Sequence, residues 1–392
     1  MLAGLVTWAE IDLDSIERNV QAFKRHIGQG VEVIAVVKAN AYGHGAVSVA
    51  RAALQAGASR LAVHRLIEAV ELRQAGLEAP ILVMGYTPPN GAEMAARWGL
   101  TPSLITLEFA QALSHHARAL GIRLPVHVKV DTGMGRYGLL PAEVLEFLRS
   151  LHELPGIHVE GLFTHFSTAD SSNPTHTLAQ FELFNQVISQ LDKNGLRPPV
   201  VHAANSAAAM QYPQAHFQAV RIGIAMYGLR PSLEWDPPFE ISPALTLKSL
   251  VTRLRVLPAG SGIGYGRTFI TTHATRVALV PVGYGDGYHR SLSNKGVVLV
   301  GGQRAPILGR VSMDQIVVDV SHIPDVELDD EVVLVGSQGN ERISAEEVGE
   351  LEGTLNYEVT TALLPRVVRL YRRGGELTTD YELTRSPPPR TF

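Results

Sequence analysis

Short, β-branched apolar runs alternate with helix-patterned segments through the first half of this 392-residue chain, and that rhythm leaves few folds open. Strands are predicted over 32–37, 60–63, 80–84, 101–104, 125–130, 157–163, 199–202 and 219–223. Helices are predicted over 46–56, 66–75, 92–98, 107–120, 142–151 and 177–194, with a shorter last unit over 205–213. Eight strands, mostly separated by helices, predict an α/β fold, a (β/α)8 TIM-like barrel. A dinucleotide-binding sheet is the other common outcome of such alternation. No G-x-G-x-x-G follows the first strand, and Gly133-Met134-Gly135 lacks the third glycine.

Beyond Gly228 the texture changes. Pro231, Pro237, Pro238 and Pro243 mark a linker, and strand-like runs follow over 246–257, 276–280, 296–300, 305–308, 315–320 and 331–335. Glycine pairs and Asp-Gly turns between them predict a mainly antiparallel β C-terminal domain. Ser344, with Glu347 three residues on, starts a helix over 344–351. The predicted division is a barrel over 1–232, with residues 1–12 as candidates for pairing with the C-terminal domain. A β-rich domain follows over 240–382, then a disordered tail over 383–392.

Composition narrows the function classes. With no cysteine, disulfides, thiolate metal sites and cysteine nucleophiles are excluded, and no metal is expected. A net charge of −4 without a dense Lys/Arg run argues against nucleic acid as a partner. No run reaches the roughly 20 apolar residues of a membrane helix. Residues 1–7 lack a basic start or a cleavage site, so the expected compartment is the cytoplasm.

The polar residues at strand ends carry the chemistry. Lys38 closes the apolar run Val33-Ile34-Ala35-Val36-Val37, and Asn40-Ala41-Tyr42-Gly43-His44-Gly45 follows as a tight turn. An ammonium there needs a partner, a modification or a route to solvent. A desolvated lysine with a lowered pKa can form a Schiff base with an aldehyde cofactor such as pyridoxal phosphate. Lys38, His64, Lys129, Asp131, His165, His202 and Arg221 all fall at or just beyond the C-terminal ends of predicted strands, the rim where barrel active sites sit.

Several motifs together resemble those of the alanine racemase family, over nearly the whole chain. They are Val37–Gly45 with its lysine, Lys129-Val130-Asp131-Thr132-Gly133-Met134-Gly135-Arg136, Thr164-His165-Phe166 and Asn205-Ser206-Ala207. Arg221-Ile222-Gly223-Ile224, Gly264-Tyr265-Gly266-Arg267-Thr268, Gly309-Arg310-Val311-Ser312-Met313-Asp314 and Asn356-Tyr357-Glu358 complete the set. The lysine motif alone is shared with other barrel-type pyridoxal phosphate proteins; the ordered set is specific.

The resemblance implies that Lys38 is the Schiff-base lysine and one of two bases on opposite faces of the substrate Cα. Tyr265, supported by His165, would be the other, serving the L-alanine face while Lys38 serves the D-alanine face. Arg221 would contact the pyridine nitrogen of the cofactor, oriented by His202. A guanidinium keeps its proton, so that nitrogen would stay unprotonated. Arg136 would meet the substrate carboxylate and the cofactor's phenolic oxygen. Lys129 would be carbamylated; the alternative is pairing with Asp131. Tyr42, Ser206, Tyr357 and the backbone of Gly223 and Ile224 would take the phosphate. Met313 would bind substrate through its N–H, Asp314 would position loops and Tyr284 would gate access. The implied assembly is a homodimer with composite active sites, acting on a small-molecule amino acid and supplying D-alanine for peptidoglycan.

Three positions depart from the common pattern: Ser312 where many relatives carry cysteine, Gly285 where alanine is usual, and His64 where small or acidic residues are common. The competing readings are a serine or broader amino-acid racemase, an amino-acid decarboxylase of the same fold, and a non-catalytic pyridoxal phosphate-binding protein of cofactor homeostasis. The last kind ends near the barrel, whereas this chain continues through Tyr265 and Met313.

Overall fold

The computed structural model describes residues 4–382. The chain divides into two compact units: Ser15–Ala41 with Ala46–Ser242, and the residues up to Asp14 with Tyr42–Gly45 and those from Pro243 onward. Among the described residues, nine strands precede residue 223. They are β1 (Thr7–Asp12), β2 (Glu32–Val36), β3 (Arg60–Val63), β4 (Ile81–Val83), β5 (Thr101–Leu104), β6 (Leu124–Lys129), β7 (Ile157–Phe163), β8 (Val200–His202) and β9 (Ala219–Ile222).

In the first unit, β2 to β9 form one parallel sheet in the order β8-β7-β6-β5-β4-β3-β2-β9. Two backbone bonds close it: Gln218 N–H donates to Val201 O at 3.0 Å and Arg221 N–H to Ala204 O at 3.0 Å. This is the (β/α)8-like barrel that the alternation predicts. Val33, Ile34, Ala35 and Val36 are all buried, as a strand covered on both faces requires. Each buried Val or Ile side chain here contributes about 1.5–3 kcal/mol. A helix over Leu13–Ile27 precedes the barrel. Its buried Ile16, Val20, Phe23 and Ile27 repeat at helical spacing.

The second unit holds a sheet in the order (303–306)-(297–300)-(331–338)-(245–250)-β1-(368–373)-(376–382), with 341–343 pairing to 331–338. β1 runs antiparallel to Leu245–Leu250 and parallel to Val368–Arg373. The run predicted as one strand over 246–257 is two strands in different sheets, because Val251 and Thr252 turn the chain. Val251 N–H bonds to Asp330 and Thr252 N–H to Leu279. A separate three-stranded sheet comprises Arg253–Leu257, Thr275–Val280 and Ile316–Asp319. Ser344 caps the helix Ala345–Glu352, accepting from Glu347 N–H at 3.1 Å. The tail predicted over 383–392 lies outside the described residues. No helix among the described residues is long and apolar enough to cross a membrane.

Candidate active site

Lys38 stands two residues past β2, and Ala39, Asn40, Ala41 and Tyr42 then turn with φ near +52°. Four consecutive L-residues in the left-handed region cost roughly 1–2 kcal/mol each, so the turn must be held from outside. The Glu68 carboxylate accepts from Ala39 N–H at 2.6 Å, Asn40 Oδ1 accepts from Ala46 N–H at 2.8 Å, and Ala41 N–H donates to Val37 O at 2.9 Å. The other oxygen of Glu68 accepts from His64 and Arg65 N–H, tying the loop after β3 to the lysine loop. Burial pushes the Lys38 ammonium down, and the nearby Arg136 charge adds to that; Glu68 opposes it.

Lys129, at the end of β6, is pushed down to about 8 by burial, then by Arg221 and Arg136. Its ammonium stands 5.6 Å from the centres of the Tyr137 and Phe163 rings. Asp131 spends its carboxylate on backbone. One oxygen accepts from the N–H of Gly133, Met134 and Gly135, the other from Arg136 N–H. Burial alone would raise Asp131; these four donors hold it low. The loop that presents Arg136 is thus organised by Asp131.

Arg221, on β9, is buried and makes a fan of bonds. It donates to the carbonyls of Thr164 (2.8 Å), Ala203 (2.8 Å) and His202 (3.3 Å). It also meets Nδ1 of His202 at 2.7 Å and Nδ1 of His165 at 3.2 Å. Burial pushes the guanidinium down to about 9, which leaves it cationic at neutral pH. Burial and the Arg221 charge hold both histidines well below the usual imidazole range, so they are neutral. The guanidinium centre also lies 5.4 Å from the Phe163 ring centre. Ser206 Oγ accepts from Gly223 N–H at 2.8 Å, while Asn205 caps the short helix Ser206–Gln211 through Ala208 N–H. The structure therefore brings Lys38, Lys129, Arg136, His165, His202 and Arg221 into one electrostatic neighbourhood.

The second unit carries the other expected residues. Tyr265, Tyr284 and Met313 are large side chains left exposed, at 71, 40 and 52%. Tyr265 and Tyr284 line a cleft with Arg290, Arg310 and Val311. The loops are zipped together: Tyr284 N–H donates to Ser312 O (3.1 Å) and Gly285 N–H to Met313 O (2.8 Å). Arg366 then clamps Asp286 and Asp314. At Gly285 an added Cβ would stand 2.7 Å from Arg366 Nη2, so glycine suits this loop closure. The rings of Tyr42 and Tyr357 stand 6.2 Å apart, and burial raises the Tyr42 phenol, which keeps its proton. His64 sits with its ring 6.5 Å from that of Tyr137 and is pushed down by burial and the Lys38 charge.

Sequence reasoning missed Glu68, His127, Glu160 and Arg369. Arg369 is buried and donates to the carbonyls of Gly43, Leu363, Leu364 and Val367. Its only signal was an arginine inside an apolar strand, Val367-Val368-Arg369-Leu370-Tyr371.

A parallel barrel with a lysine and an arginine–histidine cluster at the C-terminal ends of its strands defines an enzyme of the barrel class. The model of the alanine racemase N-terminal domain matches residues 11–231, and that of the C-terminal domain matches 244–371. The chain is 44% identical over 371 residues to the alanine racemase of Halothermothrix orenii, covering 94% of this chain and 98% of the relative. A crystal structure of the Bacillus anthracis alanine racemase with bound L-Ala-P superposes with a TM-score of 0.91. It is 42% identical and covers 96% of this chain and 97% of that one. A histidine racemase from Leuconostoc mesenteroides also superposes, with a TM-score of 0.87, 29% identity, and 95% and 99% coverage. The chain belongs to the alanine racemase family.

Proposed function

We propose that this chain interconverts L- and D-alanine with pyridoxal 5′-phosphate as cofactor, Lys38 and Tyr265 serving as bases on opposite faces of Cα. The observation that carries the reading is the depressed, half-buried Lys38 ammonium at the rim, beside the Arg221 guanidinium, which has no carboxylate partner among the described residues. The donor set fits the cofactor: an amine whose charged form burial disfavours, and a Ser206 hydroxyl that accepts from Gly223 N–H and keeps its own O–H to donate to a phosphate monoester. Tyr42, Tyr357 and the backbone of Ile224 complete the proposed phosphate set. When bound, the cofactor supplies an aldehyde for amines and a conjugated ring that accepts the electron pair at Cα.

The chain's own groups do the rest. Lys38 Nζ moves a proton on one face, and the Tyr265 phenolic oxygen on the other. Arg221 keeps its proton and presents N–H donors only, so it holds a ring nitrogen without protonating it. His165 and His202 orient it as neutral acceptors. Arg136 and the Met313 N–H hold the substrate carboxylate, and Tyr284 gates access. With Arg221, Arg136 and Lys38 all lowering it, Lys129 is an amine primed for carbamylation.

Tyr265 and Met313 are exposed on one copy of the chain, which supports a homodimer in which a partner copy's Tyr265 serves the barrel. Dilution to monomer then abolishes racemisation. The supply of D-alanine for peptidoglycan, and with it the cytoplasm, follow from the alanine reading. The likeness to a histidine racemase supports one alternative, a broader amino-acid racemase. Chiral analysis of each common L-amino acid after incubation separates the two. Borohydride reduction of the holoenzyme followed by peptide mapping tests the core: the label belongs on Lys38, and a label elsewhere, or none, ends the proposal.

A further inference from the structure

The inside of a parallel barrel is ordinarily filled by layers of apolar side chains. Here a file of polar groups crosses it. Arg221 meets Nδ1 of His202 at 2.7 Å, Nε2 of His202 meets Nδ1 of His127 at 2.9 Å, and Nε2 of His127 meets Oε2 of Glu160 at 3.1 Å. Glu160 is in turn bonded to Arg60, which holds Glu32, and these two open β3 and β2 at the opposite end of the strands. Both imidazoles are fully buried.

The two ends of the file dictate its middle. Arginine offers donors and no acceptor, and an ionised carboxylate offers acceptors and no donor. His202 must therefore accept at Nδ1 and carry its proton on Nε2. His127 must then accept at Nδ1 and donate from Nε2 to Glu160. One pair of tautomers satisfies every contact. A proton added to either ring sets two donors against each other.

The backbone is shaped for this file. The β6–β7 register shifts between Val126, which pairs with Val159, and His127, which pairs with Gly161, so Glu160 is the extra residue of a bulge on β7. A Cβ on Gly161 would stand 2.3 Å from His127 Nδ1, so the ring occupies space that only glycine leaves. The His202 ring stacks on Phe163, with centres 4.8 Å apart and planes 5° apart.

We propose that His127 and Glu160 are positioning residues for the reaction: they lock His202 in its Nε2–H tautomer, and that tautomer aims Arg221. The role rests on the reading of the Lys38 rim as the reaction site; the tautomers themselves do not.

Long-range 1H–15N correlation on the 15N-histidine protein at pH 7 tests it, with His127→Gln and His202→Asn for assignment. His127 and His202 should both be neutral with the proton on Nε2. Glu160→Leu should give mixed tautomers and lower kcat by about tenfold or more, with KM for L-alanine little changed. Glu160→Gln, whose amide oxygen still accepts, should restore the tautomers and most of kcat. Arg60→Met, which removes the ion pair but not the file, should leave the tautomers as they are. If Glu160→Leu does not fold, His127→Leu, which leaves His202 Nε2–H without its acceptor, should show the same selective fall in kcat. A proton on Nδ1 in the wild type, Glu160→Leu with unchanged tautomers or unchanged kcat, Glu160→Gln no better than Glu160→Leu, a normal kcat in a folded His127→Leu standing in for Glu160→Leu, or Arg60→Met scrambling the tautomers would overturn it. Labelled Lys38 together with any of these results rejects the file and spares the site.

Discussion

Glu68 accepts from the backbone N–H of Ala39 at 2.6 Å, one residue beyond Lys38, so a side chain from the helix after β3 holds the lysine loop. The same carboxylate satisfies His64 and Arg65 N–H. Removing it frees three donors: Ala39 N–H at the start of a left-handed turn that has little intrinsic stability, and His64 and Arg65 N–H in the loop after β3. Glu68→Ala should cost about 0.5–2 kcal/mol in urea unfolding, the loss of a carboxylate that caps exposed backbone donors. It should also lower kcat, because Lys38 loses its fixed origin. Glu68→Gln retains acceptor oxygen and should fall between. An Ala variant with wild-type stability and turnover would show that the turn holds itself.

Tyr265 and Lys38 are assigned to opposite faces, which predicts an asymmetric defect. Tyr265→Phe should stop solvent deuterium exchange at Cα of L-alanine while D-alanine still exchanges through Lys38. Proton NMR of each enantiomer in heavy water reads this directly. Equal exchange of both enantiomers by the variant would contradict the assignment.

A Cβ on Gly283 would lie 2.2 Å from Ser312 O and 2.4 Å from Met313 O. Backbone carbonyls cannot swing aside as a flexible side chain can. Gly283→Ala should therefore displace the loop whose Met313 N–H is assigned to substrate. The expected cost is about 1–3 kcal/mol from overpacking. KM for alanine should rise more than kcat falls.

The barrel was legible because its strands are buried on both faces and read as continuous apolar runs: Val33–Val36 is hydrophobic whichever way each side chain points. Rim residues were legible for the opposite reason, since Lys38, Lys129 and Arg221 break those runs. The helix over Leu13–Ile27 was missed although Ile16, Val20, Phe23 and Ile27 carry its period, because polar residues dominate the segment. The strand Val368–Arg373 was missed because the fully buried Arg369 reads as a surface residue until its carbonyl partners, the nearby Leu363, Leu364 and Val367 and the distant Gly43, are known. His127 and Glu160 look like solvent-facing residues of alternating strands. The barrel turns them inward, and only the closed sheet brings them to His202.

Glu160 predicts an acid limit. Hydrogen bonds from His127, then from Arg60, hold its carboxyl down to about 2, against an ordinary 4.5. A carboxyl depressed in the folded state stabilises the protein fully above its unfolded pKa. That contribution fades as pH falls through the folded value. The shift corresponds to about 3 kcal/mol, present above pH 4.5 and lost on the way to pH 2. Urea midpoints of wild type and Glu160→Gln should differ most at neutral pH and converge toward pH 2. Parallel curves would mean that the carboxylate's charge does not bear on stability.

Lys129 makes the opposite prediction. Burial and the charges of Arg221 and Arg136 bring its pKa to about 8, so an appreciable fraction is neutral at pH 7 and most is neutral above pH 8. Carbon dioxide adds only to the neutral amine, and the product is an anion that the surrounding cations favour. A carbamate carbonyl should therefore be visible by 13C NMR after equilibration with 13C-bicarbonate, and absent from Lys129→Met. The ammonium it replaces is repelled by Arg136, whereas the carbamate would attract it, so Lys129→Met should loosen Arg136 and raise KM. Full turnover in bicarbonate-free buffer, with no carbamate signal at pH 8, would leave Lys129 an amine held over Tyr137 and Phe163.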